Sequence, residues 1–316
     1  MITTKKKSQR VGFSAAGSVA AATFSRFLIE CGFLPIGHDC SDRILMNQYL
    51  NHCHVSPPVS NEGYSLFLRE FIETQCDLYV PFLDAELRQC AAFASVLDPL
   101  RVRLPISTTK AIDICNDKAA LKEYAEHLGI QTVKSSTIVP AFIKPRCGSG
   151  GRQSLIVRSQ ALLSSFLCHQ DSNEYIIESY MPGELVSVDC LFDSSSILID
   201  FFCRLRSKSS GVSTCSTELK DTFLVQKIHG IIVQLGKSLG FYGMCSIQFF
   251  INGADLALLE VNPRMGGSAV HSHLLGSFIL NHFFHMTLGT PIRKENSMQT
   301  SKPSKVARFY CDHVYN

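Results

Sequence analysis

Short β-rich runs alternate with helical stretches through the first hundred residues, and this alternation restricts the N-terminal fold more than any other feature. The extended runs are Val11–Ser14, Leu34–Gly37, Leu78–Phe82 and Val102–Ile106. Between them, Ser18–Cys31, Tyr64–Thr74 and Ala85–Leu97 carry apolar residues at helical spacing. Such alternation predicts an α/β module, a parallel sheet with helices on its faces. Gly12 and Gly17 sit where the first strand turns into the first helix, where dinucleotide-binding folds hold phosphates. The full GxGxxG is missing and no convincing ribose-binding acid follows at about twenty residues, so Gly17 is read as a tight-turn residue and a nicotinamide oxidoreductase ranks as a distant third reading.

Pro105 closes this module. A helix is predicted from Lys110 to Leu128, stopped by Gly129. A β-rich portion follows: Ser136–Lys144, a Gly-rich loop, Tyr175–Glu178, Val186–Phe192 and Ile197–Cys203, the last two joined as a hairpin by Asp193–Ser196. A long helix, Glu218–Leu239, ends at Gly240, and a final hairpin pairs Gly243–Ile251 with Asp255–Asn262 around Asn252 and Gly253. Lys294–Lys305 reads as a polar linker or surface loop.

Composition removes several function classes. A chain of 316 residues has room for two or three packed modules. The +3 formal charge is scattered apart from Lys5, Lys6 and Lys7, so no basic stripe points to nucleic acid. No segment approaches the roughly 20 apolar residues of a membrane span. Lys5–Arg10 and the Ala-rich stretch to Phe24 have the outline of a signal peptide, but the stretch lacks a Leu-rich centre, and a cytoplasmic protein is expected. The 13 cysteines are odd in number and contain no CxxC, which argues for reduced thiols rather than a disulfide framework or a zinc site. His52, Cys53 and His54 are adjacent, so their side chains diverge and make a poor metal set.

Three stretches carry chemistry. In Phe142–Arg152 a lysine, Lys144, ends a strand and is followed by Gly148, Ser149, Gly150 and Gly151. A fixed positive charge beside exposed backbone N–H groups suits polyphosphate, although a Gly-rich turn is by itself more often a surface hairpin. In Tyr175–Glu184 an apolar strand leads to Glu178 and a turn at Met181, Pro182 and Gly183, so Glu178 can meet an adenine edge and Glu184 ribose hydroxyls; a solvated acid before a Pro-Gly turn is the plainer alternative. In the third stretch Glu260 sits in an otherwise apolar strand, where a carboxylate without a partner is costly. Period-two alternation puts Glu260 and Asn262 on one face, where both can offer oxygen to a hard cation, with Arg264 just beyond for phosphate oxygens. A structural Glu–Arg pair is the rival.

Gln248 tests this arrangement. A strict two-residue turn at Asn252 and Gly253 would pair Ile251 with Ala254 and Gln248 with Ala257, leaving Gln248 on the face opposite Glu260. An odd loop or a bulge is therefore expected.

The order and intervals of these stretches resemble the ATP-grasp superfamily, in particular the branch with the large chain of carbamoyl phosphate synthetase and many amino-acid ligases. Cys115–Lys118 looks like its DK element and Asp77–Glu86 like its preceding strand and loop, so the resemblance runs from about Val11 to about Gly289. It implies an ATP-grasp fold: a small Rossmann-like, parallel-sheet pre-ATP-grasp domain (1–109), then two α+β lobes that clamp ATP. These are a lid lobe with the Gly-rich loop (110–180) and a lobe with the metal site (181–293), before a linker and tail (294–316). By the same resemblance Lys118 and Lys144 hold ATP phosphates and Gly148, Ser149, Gly150 and Gly151 close over them. Glu178 and the backbone near Met181 take adenine, and Glu184 takes ribose. Gln248, Glu260 and Asn262 correspond to ligands for Mg2+ or Mn2+, Arg264 with Lys144 to the catalytic groups, and Arg204 or Arg206 to a contact near the γ-phosphate. His271 and His273 are candidates to face the acceptor.

The reaction implied is attack of a small carboxylate, such as an amino acid, on the γ-phosphate of ATP, then attack of an amine on the acyl phosphate. Small-molecule carboxylate and amine partners are expected, with no nucleic acid or membrane, and a homodimer is one expected assembly. The alternatives are a ligase with a non-amine nucleophile and a nucleotide-binding protein of this fold without ligase activity. Intact Lys118, Lys144, Glu260, Asn262 and Arg264 count against the latter.

Overall fold

The computed structural model describes residues 8–41, 48–50, 52–97, 101–148, 153–169, 174–209, 212–289 and 303–308. The chain divides into two compact units, one of Met1–Ile106, Arg264–Lys302 and Cys311–Asn316, the other of Ser107–Pro263 and Pro303–Tyr310.

The elements begin with β1 (Arg10–Phe13), α1 (Val19–Glu30), β2 (Leu34–Asp39), β3 (Cys53–Val55), α2 (Tyr64–Gln75), β4 (Leu78–Val80) and α3 (Leu87–Ala94). Next come α4 (Thr109–Asn116), α5 (Lys118–His127), β5 (Ala141–Pro145), β6 (Leu155–Val157), α6 (Gln160–His169) and β7 (Tyr175–Ser179). They continue with β8 (Glu184–Phe192), β9 (Leu198–Ser209), β10 (Val212–Glu218), α7 (Thr222–Leu239), β11 (Gly243–Asn252) and β12 (Asp255–Asn262). Last are α8 (Ala269–Leu274), α9 (Ile279–Leu288) and β13 (Lys305–Ala307).

In the first unit the strands form a parallel sheet in the order β3-β2-β1-β4. A Cβ on Gly12 would stand 2.1 Å from Cys76 Sγ, so this glycine lets β1 pack against the end of α2. Gly17 N–H donates to Asp39 Oδ2 at 3.0 Å, and Ser18 caps α1. The carboxylate at the end of β2 thus accepts from the backbone of the turn that follows β1. Expectation fails at Val102–Ile106, which contributes one parallel bridge from Arg103 to Leu78; Pro105 has no N–H with which to continue a ladder. The opposite edge of the sheet is β3, beside β2, a three-residue strand too short to show alternation.

A buried carboxylate braces this unit. Glu86 Oε1 accepts from Ser14 Oγ, and Glu86 Oε2 from Tyr64 Oη at 2.5 Å and Tyr79 Oη at 3.2 Å. Burial raises the Glu86 pKa against the opposing effect of these donors. His38 Nε2 lies 2.9 Å from Tyr79 Oη, and burial lowers the His38 pKa to about 3, which keeps the ring neutral. α8 and α9 belong to the same unit, with Phe284 stacked on Phe33 at 4.7 Å between centroids.

In the second unit the helix expected over Lys110–Leu128 is two, broken at Asp117. Asp117 leaves helical geometry and its side chain accepts from Ala119 and Ala120 N–H, capping α5. Gly129 follows with φ +73°. A three-stranded antiparallel sheet, β6-β5-β7, buries Ala141, Ile143, Val157 and Leu163 as a small core.

The large sheet is antiparallel in the order β12-β11-β8-β9-β10-β13. Its apolar face carries Val186, Val188, Ile247, Phe249 and Val261 and packs against Ile228, Ile232, Leu235 and Leu239 of α7, which recur at helical spacing. The helix expected from Glu218 starts at Thr222, capped by Asp221, because Glu218 ends β10. It stops at Gly240, φ +80°, as expected.

Candidate active site

Residues 131–136 stitch the two sheets of the second unit together. Leu258 N–H donates to Gln131 O at 2.8 Å and Ser179 N–H to Lys134 O at 2.9 Å. From Gln131 to Lys134 the chain spans at most roughly 11 Å, so the strand bearing Glu178 and the strand bearing Glu260 are near neighbours.

The small sheet supplies the lysine side. β5 pairs with β7 so that Phe142 opposes Glu178 and Lys144 opposes Ile176, which sets Lys144 and Glu178 diagonally on one face. Their ion pair is 2.9 Å long and both side chains are 7% exposed. Beyond β5, Arg146 grips Asp117 through bonds of 2.7 and 2.6 Å, and this hydrogen bonding lowers the Asp117 pKa below the ordinary carboxylate value. Lys118 N–H donates to Arg146 O at 3.0 Å and its Nζ to Gly148 O at 2.6 Å. The start of α5 is thereby fixed to the mouth of the Gly-rich loop. Ser149, Gly150 and Gly151 of that loop lie outside the described residues. Met181 is half-buried and Glu184 exposed where β8 begins.

The large sheet supplies the acid and amide side through a bulge. From Asn252↔Asp255 to Phe249↔Leu258 the hairpin is regular, with its turn at Gly253 and Ala254, one residue later than expected. The register then shifts, Leu259 is passed over, and Gln248 pairs with Glu260 and Ser246 with Asn262. Strict alternation would have put Glu260 on the same face as buried Leu256 and Leu258. The bulge reverses the parity, so Val261 continues the core while Gln248, Glu260 and Asn262 share the polar face.

This face continues across β8 to β10. Arg204 is fully buried, bonded to Asp189 Oδ2 at 2.8 Å and Ser216 Oγ at 3.1 Å. Arg206 Nη2 donates to Gln248 Oε1 at 3.0 Å, while its Nε finds no hydrogen-bond partner among the described residues. Burial and the charge of Arg204 lower the Arg206 pKa to about 10, and Glu260 opposes that shift. Glu260, Asn262 and Gln248 offer oxygen donors only, which suits Mg2+ or Mn2+ rather than a softer ion. Among the described residues no cluster of three His, Cys, Asp or Glu side chains forms a metal site.

Arg264 belongs to the first unit, two residues after Asn262 in the chain. Both its Nε and Nη2 lie 2.6 Å from the Asp84 carboxylate, and its Nη1 donates to Met265 O at 3.1 Å. Asp84 is thus a bidentate partner of Arg264 within the first unit. His271 is buried and His273 is packed edge-on against Phe27 at 4.9 Å. Reading the sequence missed Asp84, Asp189, Ser187 and Ser216, since an acid or serine in a loop or strand carries no local sign of its partner. Asp84 lies within the Asp77–Glu86 stretch.

A parallel-sheet module, a small antiparallel sheet with a lysine and Gly-rich loop, and a large sheet with paired acid and amide on one face together make up the ATP-grasp fold. Residues 171–309 match the family described as ATP-grasp in the biosynthetic pathway with Ter operon. The arginine-specific carbamoyl phosphate synthase large chain of Bacillus subtilis is 24% identical over 198 residues, 54% of this chain and 19% of that one. The large chain of Clostridium botulinum strain Alaska E43 is 30% identical over 176 residues, 53% and 16% of the two chains. The chain thus spans about a fifth of the length of these relatives. Among solved structures, N5-carboxyaminoimidazole synthetase from Staphylococcus aureus complexed with ADP matches with a TM-score of 0.70 at 14% identity, covering 90% of this chain and 78% of that one. L-amino acid ligase from Bacillus licheniformis matches at TM-score 0.62 and 14% identity, covering 91% and 75%.

Proposed function

We propose that the chain is an ATP-dependent carboxylate–amine ligase that makes an acyl phosphate from a small carboxylate, such as an amino acid. The observation that carries this reading is the bulge at Leu259, which sets Glu260 across from Gln248 and Asn262 across from Ser246. A sheet built only for packing has no need to turn a carboxylate out of its apolar face in this way. The names of the matched relatives, synthases and ligases, support the same reading.

In this proposal Lys118 and Lys144 hold the ATP phosphates, and the loop from Gly148 through Ser149, Gly150 and Gly151 covers them. Glu178 and the backbone at Met181 take adenine; Glu184 takes ribose. When bound by Glu260, Asn262 and Gln248, Mg2+ or Mn2+ would neutralise charge on the phosphate oxygens. The carboxylate oxygen attacks the γ-phosphorus, the bond to the β,γ-bridging oxygen breaks, and ADP leaves. Arg264 stabilises the acyl phosphate, which must be shielded because water hydrolyses it. The amine then attacks the acyl carbon and phosphate departs. A cytoplasmic location and a homodimer belong to the proposal as well; among the described residues no helix is long and apolar enough to cross a membrane.

The test is release of ADP from ATP, screened against pairs of amino acids with and without Mg2+. Release that needs both the metal and a carboxylate supports the reading. ATP binding with no release under any pair favours a nucleotide-binding protein of this fold instead.

A further inference from the structure

Arg206 and Ser187 are not used by the mechanism above, yet both present a buried polar atom, Nε and Oγ, with no hydrogen-bond partner among the described residues. They stand beside the metal-side residues. Ser187 pairs with Gln248 on one side and Arg204 on the other, and Arg206 Nη2 donates to Gln248 Oε1 at 3.0 Å. A guanidinium only donates, so the Gln248 amide must turn its oxygen, the atom a cation would need, toward Arg206. Arg204 is differently placed: Asp189 and Ser216 hold it inside the sheet face.

Building on the ligase reading, we infer that Arg206 rests on Gln248 only until a divalent cation takes Gln248 Oε1, whose arrival releases the guanidinium, with Ser187, to an oxyanion of phosphate or carboxylate. Two interactions hold Arg206 in place: the hydrogen bond to the amide oxygen of Gln248 and the negative field of Glu260. A cation bound by Gln248 and Glu260 withdraws both at once, and repels a neighbouring positive charge strongly in so dry a setting. Nε and Ser187 Oγ are donors already waiting for an acceptor. The metal and the arginine therefore compete for one oxygen, and an incoming anion rewards the exchange.

Mn2+ binding to the full chain, followed by electron paramagnetic resonance in the presence of ADP, tests this without relying on turnover. Arg206→Met removes the competitor and should bring the Mn2+ midpoint down by about tenfold, as expected on removing a nearby like charge, while acceptor-dependent ADP release falls by about a hundredfold. Arg206→Lys, which keeps the charge without the planar fork, should hold the midpoint near wild type and recover part of the turnover. Thermal melts identify a variant that fails to fold, and Arg206→Lys then carries the test. An unchanged or raised Mn2+ midpoint in a folded Arg206→Met overturns the inference and leaves the ligase reading standing. A wild-type chain that binds no Mn2+ with ADP overturns both.

Discussion

Lys144 Nζ lies 2.9 Å from Glu178 Oε2 in a pair whose side chains are each 7% exposed. Removing one member of so buried a pair leaves an uncompensated charge, at a cost of about 3–5 kcal/mol, whereas replacing both by apolar residues is often near neutral. Lys144→Ala should therefore lower stability by that amount and abolish ADP binding. Lys144→Met with Glu178→Leu should regain most of the stability and none of the binding. Denaturant melts and calorimetric ADP titrations check this, and a double variant that binds ADP as tightly as wild type refutes the assignment of both residues.

Glu260→Gln keeps the shape of the side chain and removes its charge. On the polar face created by the Leu259 bulge, the variant should fold as wild type and release ADP about a hundredfold more slowly, the scale for losing one charge-stabilising group. Wild-type release would remove Glu260 from the site.

Asp84 holds Arg264 through two contacts of 2.6 Å. Asp84→Asn replaces a charged acceptor of two bonds by a neutral one and should cost about 1.5–3 kcal/mol, the range for hydrogen bonds to charged groups. Because the pair also fixes the direction of the guanidinium, turnover should fall while ADP affinity stays the same. Stability unchanged in an urea melt would show that the pair is not formed in solution.

His38 should make the chain acid-sensitive. Its folded pKa is lowered to about 3, chiefly by burial, against about 6.5 in an unfolded chain. Below about pH 6.5 the unfolded state therefore takes up a proton that the folded state refuses, so stability falls with falling pH by up to about 1.4 kcal/mol per unit. Glu86, whose pKa is raised by burial, acts in the opposite sense, contributing stability at low pH that is lost as pH rises. The readout is accordingly the difference between wild type and His38→Gln, which leaves Glu86 in place. The wild type should lose stability faster between pH 6.5 and 5; parallel curves would contradict a buried neutral His38.

Much of the fold was legible because it rests on local signals: alternation for the parallel sheet, Gly129 and Gly240 as helix stops, and the hairpin of β11 and β12. What was missed depends on partners distant in sequence. β3, β6 and β10 lack a clear pattern of their own and are strands because a neighbour pairs with them. The helix break at Asp117 answers to Arg146, almost thirty residues on. At the site, Gln248 and Glu260 on one face were deducible from residue chemistry plus the need for a bulge, whereas Asp84 as the partner of Arg264 required a contact across 180 residues. The burial of Arg204 against Asp189 and Ser216 is likewise announced by no local motif.

Hydroxylamine reports on an acyl phosphate without knowledge of the natural amine, since it converts acyl phosphates into hydroxamates that colour with ferric iron. The chain, incubated with ATP, Mg2+, hydroxylamine and single amino acids or other small carboxylates, should yield hydroxamate in step with ADP for at least one carboxylate, and Glu260→Gln should yield almost none. ADP release stimulated by a carboxylate but accompanied by no hydroxamate would contradict the account.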